Sequence, residues 1–357
     1  MNLKVAVIIP TLNEECFIKR CLDSVCMQTY PFAEMDVMVV DGGSKDNTCE
    51  IVRSYAMEYP NVRLLHNPKK IQSAAFNLGC ANTNADIMIR LDAHVIYNKV
   101  YVCKCVEHLK TDKILGNVGG ICDIQPQYVG LIPEANALLN KSHFGIGGAE
   151  FRVGAGKRLV DTVPFGAFPK TVVNNIGGMR EDLPRGEDNE YNHRIRKAGY
   201  NILLDPEIVA TYFARDTIWR SMRQMYQNGM SIAKLTEIDI DIINIRHFVP
   251  LLFVCALFGG VLIGTWCQLA FLFICCIVAL YVFLDVLASL AVCKEHGVKY
   301  MLVLPIMFPA IHLSYGYGTL NGLMGGVKRR CKFWLLAVLI LPFHIVVLTI
   351  KLLQNKI

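Results

Sequence analysis

The chain has 357 residues, enough for one large domain or two ordinary ones, with 53% hydrophobic residues and a mean hydropathy of +0.36. That is too apolar for a wholly soluble globular protein, and the excess sits in the last third. A net charge of +6 gives no argument for nucleic acid, and fourteen cysteines without a Cys-x-x-Cys pair suit a reducing compartment and do not resemble a zinc site or a secreted disulfide framework.

No signal peptide is expected, because the apolar run Val5 to Ile9 is short and meets Pro10, so the N-terminal part is expected in the cytosol. Residues 1–110 alternate short apolar runs with helical patterns, which predicts βαβ units, a mainly parallel sheet and flanking helices, an α/β fold. The first strand, Val5 to Ile9, ends in Pro10-Thr11-Leu12-Asn13-Glu14-Glu15, where Asn13 can cap a helix carrying Phe17, Cys21, Leu22 and Val25 on one face. The second, Val37 to Val40, ends in Asp41-Gly42-Gly43-Ser44-Lys45-Asp46-Asn47-Thr48, with a helix starting near Asp46 or Asn47. A third strand is expected over about Val62 to Leu65 and a helix over about Ile71 to Leu78.

The fourth strand, Ile87 to Leu91, is apolar except for Arg90 and stops at Asp92-Ala93-His94. An acid, a spacer and an imidazole at the carboxyl end of a buried strand are two metal-capable groups where open parallel sheets keep their ligands. A strand ending on a polar turn would read the same way. Asp41 is suited to accept hydrogen bonds from a ribose or a base edge, and equally suits a plain turn. Because no Gly-x-Gly-x-x-Gly follows the first strand, a nicotinamide-cofactor fold is set aside.

Pro10-Thr11-Leu12-Asn13-Glu14, then Asp41 to Thr48, then Asp92-Ala93-His94 resemble in order and spacing the nucleotide-sugar half of family 2 glycosyltransferases, over about residues 3–235. The resemblance implies a GT-A fold, a UDP-sugar donor and inversion at the anomeric carbon. It carries over Pro10, Thr11, Asn13, Glu14, Asp41 and Asp92 as nucleotide-sugar-binding residues, and Asp92 with His94 as ligands of a divalent metal. The usual motif is Asp-x-Asp; here His94 takes its last position, as in bacterial chains resembling the succinoglycan-type glucosyltransferases. Imidazole favours a borderline transition ion, so Mn²⁺ is expected over Mg²⁺. His94 as a solvated residue or a support for the ligands is the other reading.

The glycine-rich segment 111–186 is expected to form the acceptor side of the sheet plus mobile loops, including Gly145-Ile146-Gly147-Gly148 and Gly154-Ala155-Gly156. Val163 to Phe168 resembles the family segment before the catalytic helix, with pocket lining and simple packing as its two readings. Next, Glu187 and Asp188 open a helix that stops at Gly199, where the helix dipole favours carboxylates. Capping alone would explain them; the resemblance makes Asp188 the general base for an acceptor hydroxyl. One base plus one metal is the inverting arrangement, whereas a glycoside hydrolase would need two carboxyls flanking one bond.

Residues 201–216 read as a closing strand, followed by a basic amphipathic helix from Trp219 to Gly229. Glu187, Arg223 and Gln224 are the candidates for acceptor or diphosphate contact, with an interfacial helix as an equal account of the last two. The Gln-x-x-Arg-Trp string of polysaccharide synthases is absent, which favours one-sugar addition over processive synthesis.

Residues 248–292 hold 45 positions with one formal charge, Asp285, enough for two bilayer crossings that turn near Gly264 to Gln268. Asp285 would pair with His312, reach lipid phosphates, or lie near the cytosolic face. Pro305, Pro309, Gly316, Gly318 and Gly322 suit a broken or re-entrant segment, and Lys328-Arg329-Arg330 with Lys332 suit lipid headgroups. The expected domains are therefore a cytosolic GT-A domain (1–235), a linker (236–247) and a membrane domain (248–357). Its crossings fall at about 248–268, 269–292 and 333–352, with 301–324 re-entrant or a fourth crossing.

The expected activity is transfer of a hexose from a UDP-sugar to a polyprenyl-diphosphate-linked saccharide, in exopolysaccharide or capsule assembly at the inner membrane, with the bilayer and no nucleic acid as partner. A bare polyprenyl-phosphate acceptor, processive polymerisation and a catalytically inactive nucleotide-binding scaffold are the alternatives.

Overall fold

Val5–Thr11 forms strand β1 with all seven residues buried, as a continuous apolar run does when helices cover both faces of a parallel sheet. The computed structural model describes residues 3–147, 149–154 and 156–325. After β1 come α1 (Ile18–Cys26), β2 (Met35–Asp41), α2 (Thr48–Glu58), β3 (Val62–His66), α3 (Gln72–Ala81), β4 (Ile87–Arg90), β5 (Val95–Tyr97) and α4 (Tyr101–Thr111). Then follow β6 (Leu115–Gln125), α5 (Leu131–Lys141), α6 (His143–Ile146), α7 (Glu150–Val153), β7 (Arg158–Leu159), β8 (Ala167–Pro169), α8 (Lys170–Ile176), α9 (Glu187–Lys197) and β9 (Asn201–Phe213).

The sheet runs β3-β2-β1-β4-β8-β6-β9-β5, with β7 on β9. It is parallel from β3 through β4, as expected, and mixed beyond. There β8 is antiparallel to both neighbours, and β5 is antiparallel to β9. The two-residue alternation of a strand sorts its side chains to two cores. Val5, Val7 and Ile9 meet Ile18, Leu22, Val52 and Tyr101 on one face. Ala6 and Ile8 meet Phe76, Val172, Tyr191 and Ile195 on the other.

Strand β6 lies in the segment expected to form the acceptor side of the sheet together with loops. Its glycines are needed for close packing: a Cβ on Gly120 would sit 1.7 Å from the Ile208 carbonyl oxygen, beside an irregularity in the β6–β9 pairing. This GT-A-like α/β sheet belongs to the first of two compact units, Met1–Asp216 and Thr217–Ile357. The division falls before the expected boundary at 235, because helix α10 (Ile218–Ile238) packs within the second unit.

In that unit, α11 (Val249–Gly264) and α12 (Gln268–His296) are long and apolar enough to cross a membrane and break near the expected turn. Helix α13 (Leu304–Met324), in the segment expected as re-entrant or a fourth crossing, runs through Pro309 without the break that its prolines and glycines suggested. Its glycines serve contact: a Cβ on Gly318 would lie 2.1 Å from the Tyr226 carbonyl oxygen, and one on Gly316 2.1 Å from that of Pro250. Asp285 meets Ser289 at 3.4 Å, whereas His312 Nδ1 meets the Tyr281 hydroxyl at 2.8 Å. The expected crossing at 333–352 and the basic cluster 328–332 lie outside the described residues.

Candidate functional site

The loops after β1 and β2 are joined by reciprocal hydrogen bonds. Asn13 does not cap α1; with φ of 55°, it turns its carboxamide oxygen to the Lys45 amide at 2.8 Å, while its own amide donates to Ser44 Oγ at 2.8 Å. The Glu14 amide donates to Thr48 Oγ1 at 2.8 Å, and the Gly42 amide to the Thr11 carbonyl at 2.8 Å. Pro10 is buried within β1, and the Thr11 hydroxyl donates to the Ile9 carbonyl at 3.0 Å.

Asp41, at the tip of β2, directs its carboxylate into its own turn. Oδ2 accepts the amides of Gly43 and Ser44 at 2.7 and 2.9 Å, and Oδ1 accepts the Ser44 hydroxyl. Burial alone would raise this carboxyl, but Ser44 and Gly43 hold it below the ordinary aspartate value. The residue thus stands at the expected sheet edge and shapes the loop there.

The end of β4 is fixed from several sides. Tyr97 Oη accepts the Asp92 amide at 2.7 Å. Arg90, 8% exposed, brings Nη2 to 3.0 Å from Gln72 Oε1, 3.4 Å from Asp92 Oδ1 and 3.3 Å from Glu187 Oε1. Two residues beyond Asp92, His94 Nδ1 lies 3.1 Å from Glu14 Oε1, and its ring meets Tyr212 edge-on at 5.6 Å. A carboxylate only accepts, so Nδ1 carries the hydrogen and Nε2 is the nitrogen left to coordinate. Burial pulls His94 down, but the Glu14 bond and the Asp92 charge outweigh it and raise the imidazole above its ordinary value.

Helix α9 begins after Gly186, whose φ of 81° makes the turn that a residue with a Cβ would resist. Its two acids then part company. Glu187 is buried against Arg90, whereas Asp188 is half-buried, with Oδ1 accepting the Asn189 amide at 2.9 Å. Burial raises the Glu187 carboxyl above the glutamate range, against the pull of Arg90 and reinforced by Asp188.

Direct contacts therefore join Glu14 to His94 and, through Arg90, Asp92 to Glu187, with Asp188 next in sequence. Arg223 and Gln224 fall on α10, in the second unit. Tyr97, Tyr212, Arg185 and Arg90 are additions that the motifs do not single out. For Arg90 the signal was there, a lone charge in an apolar strand. Arg185 loses basicity through burial and through the facing charge of Arg215.

Among the described residues, no three His, Cys, Asp or Glu side chains gather around one point. One carboxylate and one imidazole at a strand end fit a divalent ion that takes its other ligands from a substrate diphosphate and water, as such ions do beside nucleotides. They do not fit a metal caged by protein alone.

The pattern described as glycosyl transferase family 2 matches residues 6–163. A succinoglycan biosynthesis protein, ExoA of Rhizobium meliloti, is 31% identical over 265 residues, covering 73% of this chain and 78% of that protein. Another relative is the dolichyl N-acetyl-alpha-D-glucosaminyl phosphate 3-beta-D-2,3-diacetamido-2,3-dideoxy-beta-D-glucuronosyltransferase of Methanococcus voltae. It is 26% identical over 329 residues, covering 90% of this chain and 98% of its own. Among solved structures, a mannosyltransferase from Pyrobaculum calidifontis, in complex with GDP-Man and Mn²⁺, has a similar fold. Its TM-score is 0.58 at 19% identity, covering 91% of this chain and 88% of that one.

Proposed function

The chain belongs to glycosyl transferase family 2, and from that premise we propose that it moves a hexose from a UDP-sugar to a polyprenyl-diphosphate-linked saccharide, with inversion, in exopolysaccharide or capsule assembly. The observation that carries this reading is the Arg90 link, which joins the strand end bearing Asp92 to the start of the helix bearing Asp188. The lipid-linked acceptor is supported by the two relatives, one named for succinoglycan biosynthesis and one for transfer to a dolichyl sugar phosphate. The apolar helices α11 and α12 would hold the enzyme in the inner membrane as a multi-pass protein, with the first unit in the cytosol.

In this reading Pro10, Thr11, Asn13, Glu14 and Asp41 shape the nucleotide end of the pocket, with Asp92 at the diphosphate end. Asp188 Oδ2 takes the proton of the acceptor hydroxyl as its oxygen attacks the anomeric carbon, from the face opposite the leaving diphosphate. Asp92 and His94 would hold a divalent ion, Mn²⁺ in preference to Mg²⁺, which supplies positive charge for the nucleoside diphosphate as it leaves.

The test is transfer from a panel of radiolabelled UDP- and GDP-sugars by membrane fractions containing the full chain. The acceptors are lipid-linked saccharides and bare polyprenyl phosphate. One sugar added to the saccharide from a UDP donor is the expected result. Long products would overturn single addition, and transfer to bare phosphate alone would overturn the acceptor assignment.

A further inference from the structure

We propose that Arg90 is a positioning residue for glycosyl transfer, a strut that sets the base-bearing helix α9 against the donor-binding end of β4 through the Arg90–Glu187 pair. The proposal rests on the functional reading above and adds a part that the motif residues do not include.

Side chains from three elements meet at one nitrogen. Arg90 Nη2 lies 3.0 Å from Gln72 at the start of α3, 3.4 Å from Asp92 beyond β4, and 3.3 Å from Glu187 in the first turn of α9. The side chains in the two ion pairs are nearly closed to solvent, at 10% exposed for Arg90, 14% for Asp92 and 8% for Glu187. In such a place an ion pair is a poor source of stability, because desolvating the charges offsets their attraction. Arg90 Nε is moreover buried without a hydrogen-bond partner, a further cost that a packing role would not incur.

The geometry instead divides the two acids of the Glu-Asp pair. Glu187 faces inward and fixes the first turn of α9 to β4, so that the next residue, Asp188, is held half-exposed at a set distance from the strand end. A guanidinium suits this because it is charged at every working pH and long enough to reach from the strand to both neighbouring helices. Since all three acceptors meet a single nitrogen, a lysine ammonium, with three donors on one nitrogen, can replace much of the contact. Glutamine has comparable polarity but lacks the charge.

The experiment compares Arg90→Gln, Arg90→Lys, Glu187→Gln and the double variant Arg90→Gln/Glu187→Gln in the full-length membrane enzyme. For each, kcat, donor KM and thermal midpoint are measured with the best donor of the panel. A base displaced by about an ångström costs on the order of 100-fold in rate. Arg90→Gln and Glu187→Gln are therefore each expected to lower kcat by about that factor with donor KM little changed. The double variant should be no slower than the worse single variant, because both break the same link. Arg90→Lys should recover to within about tenfold of the parent, a rescue that a purely structural role would not tie to kcat.

If Arg90→Gln does not fold, Glu187→Gln and Arg90→Lys still decide the matter. A folded Glu187→Gln at full kcat, or single losses that multiply in the double variant, would overturn the strut. A parent enzyme that transfers from no nucleotide sugar would instead overturn the functional reading, and the strut with it.

Discussion

Glu14 Oε1 stands 3.1 Å from His94 Nδ1, so the first loop of the sheet fixes the imidazole that closes the Asp-x-His motif. The two residues are eighty positions apart, and each is about one-fifth exposed. A carboxylate behind a coordinating histidine orients the ring and raises its basicity, and losing such a partner typically costs 10- to 100-fold in metal affinity. Glu14→Gln is therefore expected to raise the Mn²⁺ concentration for half-maximal transfer by about that factor, while the protein stays folded. An unchanged metal requirement would return Glu14 to the nucleotide-binding role that its motif suggests.

Asp188→Asn keeps the size of the side chain and the hydrogen bond from the Asn189 amide, and removes only its capacity to take a proton. General-base catalysis contributes roughly 10²- to 10⁴-fold. The variant should lose transfer by that order and still bind UDP with parental affinity by calorimetry. Retained turnover would strike Asp188 from the mechanism; parallel loss of UDP binding would mean that the substitution disturbs the pocket as a whole.

Away from this site, Asp205 on β9 accepts the Glu207 amide at 2.9 Å and pairs with His108 at 2.5 Å, with Lys157 at 3.8 Å. Burial would raise its carboxyl, but these partners hold it below the ordinary aspartate value. The unfolded chain then takes up the proton first, so the contribution to stability is complete above about pH 4 and is lost as pH falls through the lower folded-state value. The thermal midpoint of the parent should fall as pH drops from about 5 to 3. That of Asp205→Asn should start lower at neutral pH and change less over the acid range. Parallel curves for the two would remove Asp205 from the acid response.

The four parallel strands and the polar tips that follow them were legible because buried strands are apolar runs and their ends are abrupt. Strand β6 was not. Its segment was expected only as part of the acceptor side of the sheet with loops, and only the approach of the Ile208 carbonyl to Gly120 explains why a strand there needs glycine. Helix α13 was misleading for a related reason, since glycines that permit close helix packing look in sequence like helix breaks. At the site, the residue types could be listed from motifs, but their partners could not. Whether Glu14 serves a nucleotide or a histidine, and whether Glu187 faces outward or toward Arg90, depends on contacts between segments far apart in the chain. Arg90 shows the limit well: a charge within β4 marks the position as unusual, and nothing local says what the charge meets.

His94 offers Nε2, a nitrogen donor, where the commoner motif offers a carboxylate oxygen. Imidazole suits Mn²⁺ better than Mg²⁺, which keeps oxygen ligands and water at short, nearly octahedral distances. Replacing it by a carboxylate should make the two ions more equal. His94→Asp is thus expected to shift the ratio of Mn²⁺- to Mg²⁺-supported transfer toward Mg²⁺ by about tenfold, a difference of about 1.4 kcal/mol in relative transition-state stabilisation. The variant also releases Glu14 from its imidazole partner and sets it beside a second carboxylate, so a general loss of activity is expected with either ion. The ratio is the quantity that reports on ligand identity, because it cancels losses common to both metals. A ratio equal to that of the parent would mean that His94 does not bind the ion and acts only through its contacts with Glu14 and Tyr212.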